Sequence, residues 1–188
     1  MTPAQLVMPT TAPSFRDVHL RAFEERDVGM LMDLSTDAYV PKTGSLPGNA
    51  SRQEALAYIE RQFSHLRTGT GYSFCVTDKD TDEALGTAGL YLAPIAAGRA
   101  TAGYSVAPRS RGRKVAGHAL IAVTRFAWSI PELHRIELYI EPWNVASVRT
   151  AELAGFEREG LLRSHQEIGG KRVDMLVYAA IRPTTLAE

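Results

Sequence analysis

The sequence contains a single cysteine, no excess of either charge and no long apolar run, and each shortage excludes a class of protein. Cys75 has no partner for an intramolecular disulfide, which favours a reducing compartment. The 21 basic and 21 acidic residues balance, whereas a dedicated nucleic-acid binder needs a basic excess. Because no run of about 18 apolar residues occurs, we expect neither a membrane-spanning helix nor a membrane partner.

The remaining composition is that of a globular domain. With 188 residues, of which 45% are hydrophobic, the chain has the size of one domain and is too apolar for disorder. We expect a flexible leader over residues 1–15, one domain over residues 16–182 and a tail over residues 183–188. The leader lacks a positively charged start, and prolines interrupt its apolar stretch, so it does not read as a secretory signal. These features predict a cytoplasmic protein.

Hydrophobic periodicity predicts a mixture of strands and helices. The predicted strands cover residues 18–22, 72–77, 84–92, 101–107, 134–140, 156–162 and 172–181. Predicted helices follow the acidic cluster 24–27, a capping box of Ser51 and Glu54, the basic loop 109–114 and the turn 142–144. Residues 41–50 are expected to form only a loop. This order of elements predicts an α+β fold with a mixed, largely antiparallel central sheet flanked by helices.

The segment from Gly103 to Ala116 is the most informative for chemistry, because a strand runs through a loop directly into a helix. The free N–H groups and the positive end of a helix dipole suit a phosphate. Gly112 allows close approach of the backbone, and Arg109, Arg111, Arg113 and Lys114 add positive charge. A solvated basic turn is the alternative. The spacing of a nucleotide-binding Walker A loop is absent.

Two segments resemble a known family. Residues 111–116 (RGRKVA) resemble the Q/R-x-x-G-x-G/A acetyl-CoA loop of the GNAT N-acetyltransferases. Residues 144–156 carry Asn144, Ser147, Gly155 and Phe156 at the spacing of the N-x-x-S-(x)7-G-F signature of the RimJ/RimL-like branch. The opening VHLRAFEERDV and the closing GGKRVDMLVYAAI are also similar to that branch. The resemblance therefore extends from about residue 16 to residue 182, and it implies a GNAT-like fold.

The resemblance implies that acetyl-CoA is the acyl donor. Gly112 would let the pyrophosphate approach the loop closely, and the pantetheine would follow the strand that ends at Val106. The pyrophosphate would be bound by the backbone amides of Arg111, Arg113, Lys114, Val115 and Ala116.

The same resemblance assigns roles near the thioester. The Val106 amide would face its carbonyl as an oxyanion donor. Asn144 would bond the pantetheine amide, although it suits a helix N-cap equally well. Ser147 would protonate the departing thiolate or would be an ordinary first-turn serine, and Tyr139 is an alternative donor that also fits the core.

The sequence departs from the family pattern at two positions. Lys114 stands where the family usually has glycine, and the family's strand glutamate, expected near Ala102, is absent. A base must then come from elsewhere, with Glu141 as the first candidate and Asp174 as the second, although both also suit structural roles. The five histidines are scattered without metal-ligand spacing, so we predict no metal.

These observations predict an acetyl-CoA-dependent N-acetyltransferase. The acceptor would be a primary amine, either a peptide or protein N-terminal α-amine or a small amine, that attacks directly in a ternary complex. A catalytically weak acyl-CoA-binding regulatory module is the alternative that the missing acid favours. No nucleic-acid partner is expected, and a homodimer is left open because Trp128 and Trp143 fit either a core or an interface.

Overall fold

The computed structural model describes residues 6–183, so the expectations for residues 1–5 and 184–188 lie outside the described residues. Eight strands form one sheet in the order β1-β2-β3-β4-β5-β6-β8-β7. The strands are β1 (Ser14–Phe15), β2 (Val18–Arg21), β3 (Gly71–Asp78), β4 (Ala84–Tyr91), β5 (Arg99–Val106), β6 (Arg135–Ile140), β7 (Glu157–Ile168) and β8 (Lys171–Ile181). The α-helices are α1 (Val28–Leu34), α2 (Val40–Thr43), α3 (Arg52–Arg67), α4 (Val115–Ala127) and α5 (Val145–Leu153).

The sheet confirms the predicted α+β class. Every neighbouring pair of strands is antiparallel except β5 and β6, which run parallel. The capping box at the start of α3 is also confirmed, because the Ser51 N–H donates to Glu54 Oε2 at 2.8 Å and the Glu54 N–H to Ser51 Oγ at 3.3 Å. Local capping chemistry thus places α3 as the sequence indicates.

Two predictions about irregular segments are wrong. Residues 41–50 are not only loop, because α2 begins at Val40 with Pro41 in its first turn, where its fixed φ suits a helix. The supposed leader is not separate from the fold over residues 6–15. The Leu6 N–H donates to the Leu66 carbonyl at 3.1 Å, Leu6 and Met8 pack on the core, and β1 pairs with β2.

The sheet buries a different layer on each face. Tyr72, Phe74 and the other side chains on their face pack against α4, where the Phe126 ring meets Tyr72 edge-on at 4.8 Å. Cys75 points to the opposite face and packs in the cluster formed with α1 and α3, as predicted. Burial raises the pKa of the Cys75 thiol, which therefore stays protonated and unreactive.

The site's position is set by β5 and β6. The two strands pair only over Arg99–Thr101 and Arg135–Glu137, and beyond these residues they separate. At this branch point Glu137, 4% exposed, accepts hydrogen bonds from Arg135 Nε at 2.6 Å and from the Tyr139 hydroxyl at 2.9 Å. Arg99 Nη1 of β5 reaches the same carboxylate at 3.4 Å, which ties the two strands together below the gap.

We expect Glu137→Gln to destabilise the fold by about 1.5–3 kcal/mol, the usual value of hydrogen bonds to a charged group. Burial alone would raise the pKa of Glu137, but the bonds from Arg135 and Tyr139 outweigh it and hold the pKa below its ordinary value. The stabilisation is therefore present above the unfolded-state pKa of about 4.3 and is lost as the pH falls through the lower folded-state pKa.

Urea unfolding between pH 7 and pH 3 measures this effect. As the pH approaches 3, the free energy of unfolding of the wild type should fall toward that of Glu137→Gln. Glu159→Gln is the matched control, because Glu159 accepts from the same Arg135 at 2.7 Å on the surface and should cost less than about 1 kcal/mol. Equal losses in the two variants would contradict the assignment of Glu137 as the buried brace.

Candidate functional site

A continuous cleft of about 1070 Å³ passes through the gap between β5 and β6. One end lies at the loop before α4, and the other lies between β6 and the segment that contains α2. In the part of the chain that the structure describes, three buried side-chain atoms lack a hydrogen-bond partner, namely Ser73 Oγ, His118 Nδ1 and Glu141 Oε2. All three residues line this cleft. Buried polar groups are ordinarily paired, so these atoms indicate a binding site.

The loop before α4 has the geometry of an anion site. Gly112 (φ 79°) and Lys114 (φ 61°) both adopt left-handed conformations, and Lys114 directly precedes the helix. The helical bonding at this end begins with the His118 N–H, which donates to the Lys114 carbonyl at 3.1 Å, and this leaves the preceding N–H groups without an intrahelical acceptor. A Cβ placed on Gly112 or Gly117 would meet no atom within 4 Å, so the loop is open on the side where a phosphate would bind.

Three of the four basic side chains of the loop form ion pairs with aspartates. Arg111 Nη2 contacts Asp37 Oδ2 at 2.7 Å, and Arg113 Nη2 contacts Asp78 Oδ2 at 3.1 Å. Arg109 lies 3.9 Å from Asp33. Among residues 6–183, Lys114 is the one cation of this loop that forms no ion pair.

The register of β4 and β5 determines where the backbone of Val106 points. The Ala107 N–H donates to the Leu85 carbonyl at 2.9 Å, and Val106 lies opposite Gly86, the next pair along the ladder. Hydrogen-bonded and non-hydrogen-bonded pairs alternate in an antiparallel ladder, so the N–H and C=O of Val106 point away from β4 and into the gap. Accordingly, Arg111 Nε donates to the Val106 carbonyl from that side, at 3.2 Å.

The start of α5 closes one wall of the gap. Asn144 Oδ1 accepts from the Ser147 N–H at 3.1 Å, which makes Asn144 the N-cap of α5. This confirms the structural alternative for Asn144. Ser147 lines the cleft, and its carbonyl accepts from the Tyr104 hydroxyl of β5 at 3.3 Å. Burial raises the pKa of Tyr104, so its hydroxyl remains a donor that links β5 to α5.

A buried carboxylate lies at the opposite end of the cleft. Glu141, at the end of β6, is 6% exposed, and its Oε2 has no hydrogen-bond partner among the described residues. Burial and the neighbouring Glu141 carboxylate raise the pKa of Tyr39, which therefore remains a neutral donor. The Tyr39 ring meets the Trp143 ring edge-on at 5.0 Å. Glu141 therefore places a buried carboxylate beside two aromatic rings at this end of the cleft.

The other predicted proton-transfer groups are engaged elsewhere. Asp174 is exposed, lies outside the cleft lining, and accepts from the Ser164 N–H at 2.7 Å within the β7–β8 pair. The Tyr139 hydroxyl donates to Glu137. Ala102 packs toward the α4 face, so it is Thr101 on the same strand that faces the side of Glu141.

Sequence reasoning missed Asp37 and Tyr39. Asp37 Oδ1 accepts from the N–H groups of Tyr39 and Val40 at 2.8 and 2.9 Å, as an aspartate does at a helix start. Burial raises the pKa of Asp37, but the Val40 and Arg111 bonds outweigh it, and the pKa is lowered. The aspartate shortly before Pro41 was the available signal for a short helix here.

Comparison with known proteins defines the class. Residues 17–157 match the family described as the acetyltransferase (GNAT) domain. The protein is therefore an acetyltransferase by class, and the chain belongs to the GNAT family, which confirms the resemblance.

Named relatives and solved structures agree with this assignment. The uncharacterized N-acetyltransferase p20 of Bacillus licheniformis is 26% identical over 163 residues, which are 87% of this chain and 92% of the relative. The probable N-acetyltransferase YjcK of Bacillus subtilis (strain 168) is 31% identical over 133 residues, 70% of this chain and 71% of YjcK.

Two solved structures share the fold. The ribosomal L7/L12 alpha-N-protein acetyltransferase RimL in complex with coenzyme A has a TM-score of 0.76 at 20% identity, over 90% of this chain and 97% of RimL. Mycobacterium smegmatis RimJ in complex with a CoA disulfide has a TM-score of 0.75 at 23% identity, over 88% of this chain and 82% of RimJ.

Two features are absent from residues 6–183. No group of three or more His, Cys, Asp or Glu side chains is arranged to hold a metal ion there. Across the same residues, no helix has the length and apolar content needed to cross a membrane.

The left-handed backbone of Lys114 generates a stability prediction. A non-glycine residue in this left-handed region costs about 1–2 kcal/mol. Replacement by glycine removes that cost, but the greater entropy of glycine in the unfolded chain offsets part of the gain in stability. We therefore expect Lys114→Gly to raise the free energy of unfolding by about 0.5–1 kcal/mol. Arg113→Gly, at a position that is not left-handed, should lower it. Urea titration of both variants tests this, and a loss of stability in Lys114→Gly would contradict it.

Proposed function

We propose that this chain is an acetyl-CoA-dependent N-acetyltransferase whose acceptor is the α-amine of a peptide or protein N-terminus. The observation that carries the proposal is the gap between β5 and β6, which opens to both faces of the sheet. A loop suited to phosphate lies at one end, and the buried Glu141 carboxylate, with an unpartnered oxygen, lies at the other. Donor and acceptor can thus enter from opposite sides and meet at one strand edge.

The loop before α4 would hold the diphosphate of the donor. The backbone amides of residues 113–116 would bind the pyrophosphate, whereas the Arg111 N–H, also expected to do so, donates to the Pro108 carbonyl at 3.3 Å. Gly112 and Gly117 leave space for the pyrophosphate, and Lys114 would supply a charge. Asn144, besides capping α5, lines the cleft where it would bond the pantetheine amide. The CoA complexes of RimL and RimJ, which share this fold, support the choice of donor.

The reaction proposed at the gap is direct acyl transfer. The lone pair of the neutral amine attacks the thioester carbonyl carbon, and the C–S bond breaks. The sulfur receives a proton from the Ser147 hydroxyl, and the proton that the acylated nitrogen loses restores that hydroxyl through solvent. The Val106 N–H points into the gap and would donate to the carbonyl oxygen as negative charge develops, an interaction whose removal typically costs about 3–4 kcal/mol. Proximity of the two substrates supplies much of the remaining acceleration.

Glu141 is proposed to bind the acceptor ammonium and then take its proton. Its unpartnered Oε2 lines the cleft, whereas the other buried carboxylate of β6, Glu137, is occupied by arginines. At pH 7 an α-amine of pKa about 7.8 is roughly 14% neutral, and a lysine amine of pKa about 10.4 is roughly 0.04% neutral. Because β5 carries no acid near Ala102, the site favours the amine that is more easily deprotonated. RimL is named as an alpha-N-protein acetyltransferase, which supports the same class.

The second candidate function is a regulatory module that binds acyl-CoA and turns it over weakly. The absence of an acid near Ala102 and the pairing of Arg111 with Asp37 favour it. Release of CoA thiol over a panel of amines separates the two functions. Turnover with any peptide α-amine supports the enzyme, and binding without turnover supports the module.

Coenzyme A should stabilise the folded chain. At a ligand concentration 100 times the Kd, linkage gives about 2.7 kcal/mol. A thermal-shift titration with CoA should therefore show a clear rise in Tm, larger than the rise with ADP, which carries a diphosphate but no pantetheine. No shift at millimolar CoA would contradict the proposed donor.

The acceptor class is tested with two short peptides, one with a free N-terminus and no lysine, the other N-blocked with one lysine. We expect the free α-amine to have the higher kcat/KM, by up to the roughly 350-fold difference in neutral fraction. Glu141→Gln should then lower kcat/KM by about 10²-fold, the usual scale for a general base, without changing the Kd for CoA.

Asp174→Asn is the matched control, because Asp174 is the other candidate acid and lies outside the cleft lining. It should leave kcat/KM unchanged. A faster blocked-lysine peptide would show that the acceptor assignment is wrong, and a Glu141→Gln enzyme within threefold of wild type would show that Glu141 is not the base.

A further inference from the structure

The cleft has a side arm between α3 and the sheet, here called the hydroxyl arm. Its floor is the face of β3, β4 and β5 that carries Ser73, Gly89 and Gly103, and its walls include Phe23, Tyr58, Gln62, Thr87 and Tyr91. None of these residues is charged. The charged and histidine side chains that line the cleft elsewhere are Arg16, Asp37, Arg111, Lys114, His118 and Glu141.

Two glycines shape the floor of the hydroxyl arm. Gly89 and Gly103 lie opposite each other on β4 and β5. A Cβ on Gly89 would lie 2.8 Å from the Cζ and hydroxyl oxygen of Tyr91, and a Cβ on Gly103 would lie 3.7 Å from its Cε2. The Tyr91 ring is therefore folded back across both glycines. Its position explains why glycine, which weakens a strand interior, occupies these two positions. This contact places the Tyr91 hydroxyl over Gly89, next to Ser73, which pairs with Gly89.

The Ser73 hydroxyl on this floor is available to form a hydrogen bond with a ligand. The residue is 7% exposed, and its Oγ has no partner among the described residues. Leaving a buried hydroxyl unpaired is costly, so a ligand group that pairs with it recovers that cost. Burial raises the pKa of Tyr58, which therefore remains a neutral hydroxyl. Tyr91, which is 37% exposed, supplies a second hydroxyl at the edge of the hydroxyl arm. The hydroxyl arm thus offers hydrogen bonds and aromatic surface without charge.

The position of the hydroxyl arm relates it to the acceptor. Ser73 lies on β3, two strands from β5, and in register with Gly103, three residues before Val106. At the usual strand spacing and rise it is about 14 Å from the point where transfer is proposed. An extended peptide covers that distance in about four residues, or in about three when the length of the side chain and its hydrogen bond is added. The hydroxyl arm is therefore within reach of the second or third residue of a peptide whose α-amine lies near Glu141.

We propose that the hydroxyl arm is the subsite for an uncharged hydrogen-bonding side chain at the second or third residue of the acceptor. This inference rests on the proposed function. It makes Ser73 and Tyr91 specificity-determining residues, and it predicts selection against acceptors that carry a charge there, because a charge in the hydroxyl arm would lose water without gaining an ion pair.

The test uses tetrapeptide amides with a free alanine N-terminus that differ at one position. Threonine, its isostere valine, lysine and glutamate are placed in turn at the second and at the third residue. We expect the threonine peptide at one position to exceed the valine peptide in kcat/KM by about tenfold, the value of one hydrogen bond. The lysine and glutamate peptides at that position should fall at least about tenfold below the threonine peptide.

Ser73→Ala should reduce the threonine preference to less than about threefold while leaving the valine peptide unchanged, since valine makes no bond for the variant to lose. Tyr91→Phe keeps the ring on the two glycines and provides a second variant with the same expectation. Ser129→Ala, an exposed serine outside the cleft lining, is the control and should change neither peptide.

Three results would overturn the inference: equal rates for threonine and valine at both positions in the wild type, an equal loss for both peptides in Ser73→Ala, or a preferred charged residue. Failure of the proposed function is distinguishable, since no tetrapeptide would then be acetylated although coenzyme A still raises the Tm. That outcome overturns the hydroxyl arm's assignment to a peptide as well.

Discussion

The separation of β5 and β6 is the constraint on which the rest of the structure depends. Two adjacent strands in the middle of a sheet normally satisfy each other's backbone groups, and leaving them unpaired is costly when they are buried. Here pairing stops after Thr101 and Glu137, and the N–H and C=O of Val106 point into the gap. Below the gap, Arg99 and Glu137 tie the strands together. The cleft therefore exists because a sheet is held closed at one end and open at the other.

The segment before α2 connects the two ends of the cleft. Asp37 bonds Arg111 of the phosphate loop through one carboxylate oxygen and the N–H groups of Tyr39 and Val40 through the other. Tyr39 in turn lies beside Glu141. A single aspartate thus links the proposed donor loop to the proposed acceptor wall, and its ion pair with Arg111 also offsets part of the loop's positive charge.

Much of this architecture could be predicted from local patterns, and the remainder could not for identifiable reasons. The strands, the start of α3 at Ser51 and the loop before α4 follow from periodicity, capping and glycine placement, all of which are local. The α2 helix was missed because four residues carry too little periodicity, and the packing of residues 6–15 because it depends on distant partners such as Leu66.

Within the site, prediction from the sequence is limited for the same reason, because some contacts depend on residues that are distant in the chain. Motif spacing selected Val106, Asn144, Ser147 and the loop residues as candidates, and their roles stay predictions. Pairing of Arg111 with Asp37, seventy-four residues away in sequence, depends on the tertiary fold and has no local signal. The strand position facing the acceptor side is Thr101 rather than Ala102, because alternation along a strand assigns neighbouring residues to opposite faces, and only the pairing register shows which face is which.

The lone unpartnered oxygen of Glu141 also bears on how a catalytic cycle would end. Acetylation converts a cationic amine into a neutral amide, so the group that attracted the acceptor to this carboxylate disappears in the reaction itself. Water solvates the buried Glu141 carboxylate better than the neutral amide of the product does, so release of the product is favoured. Product inhibition by the acetylated peptide should accordingly be weak.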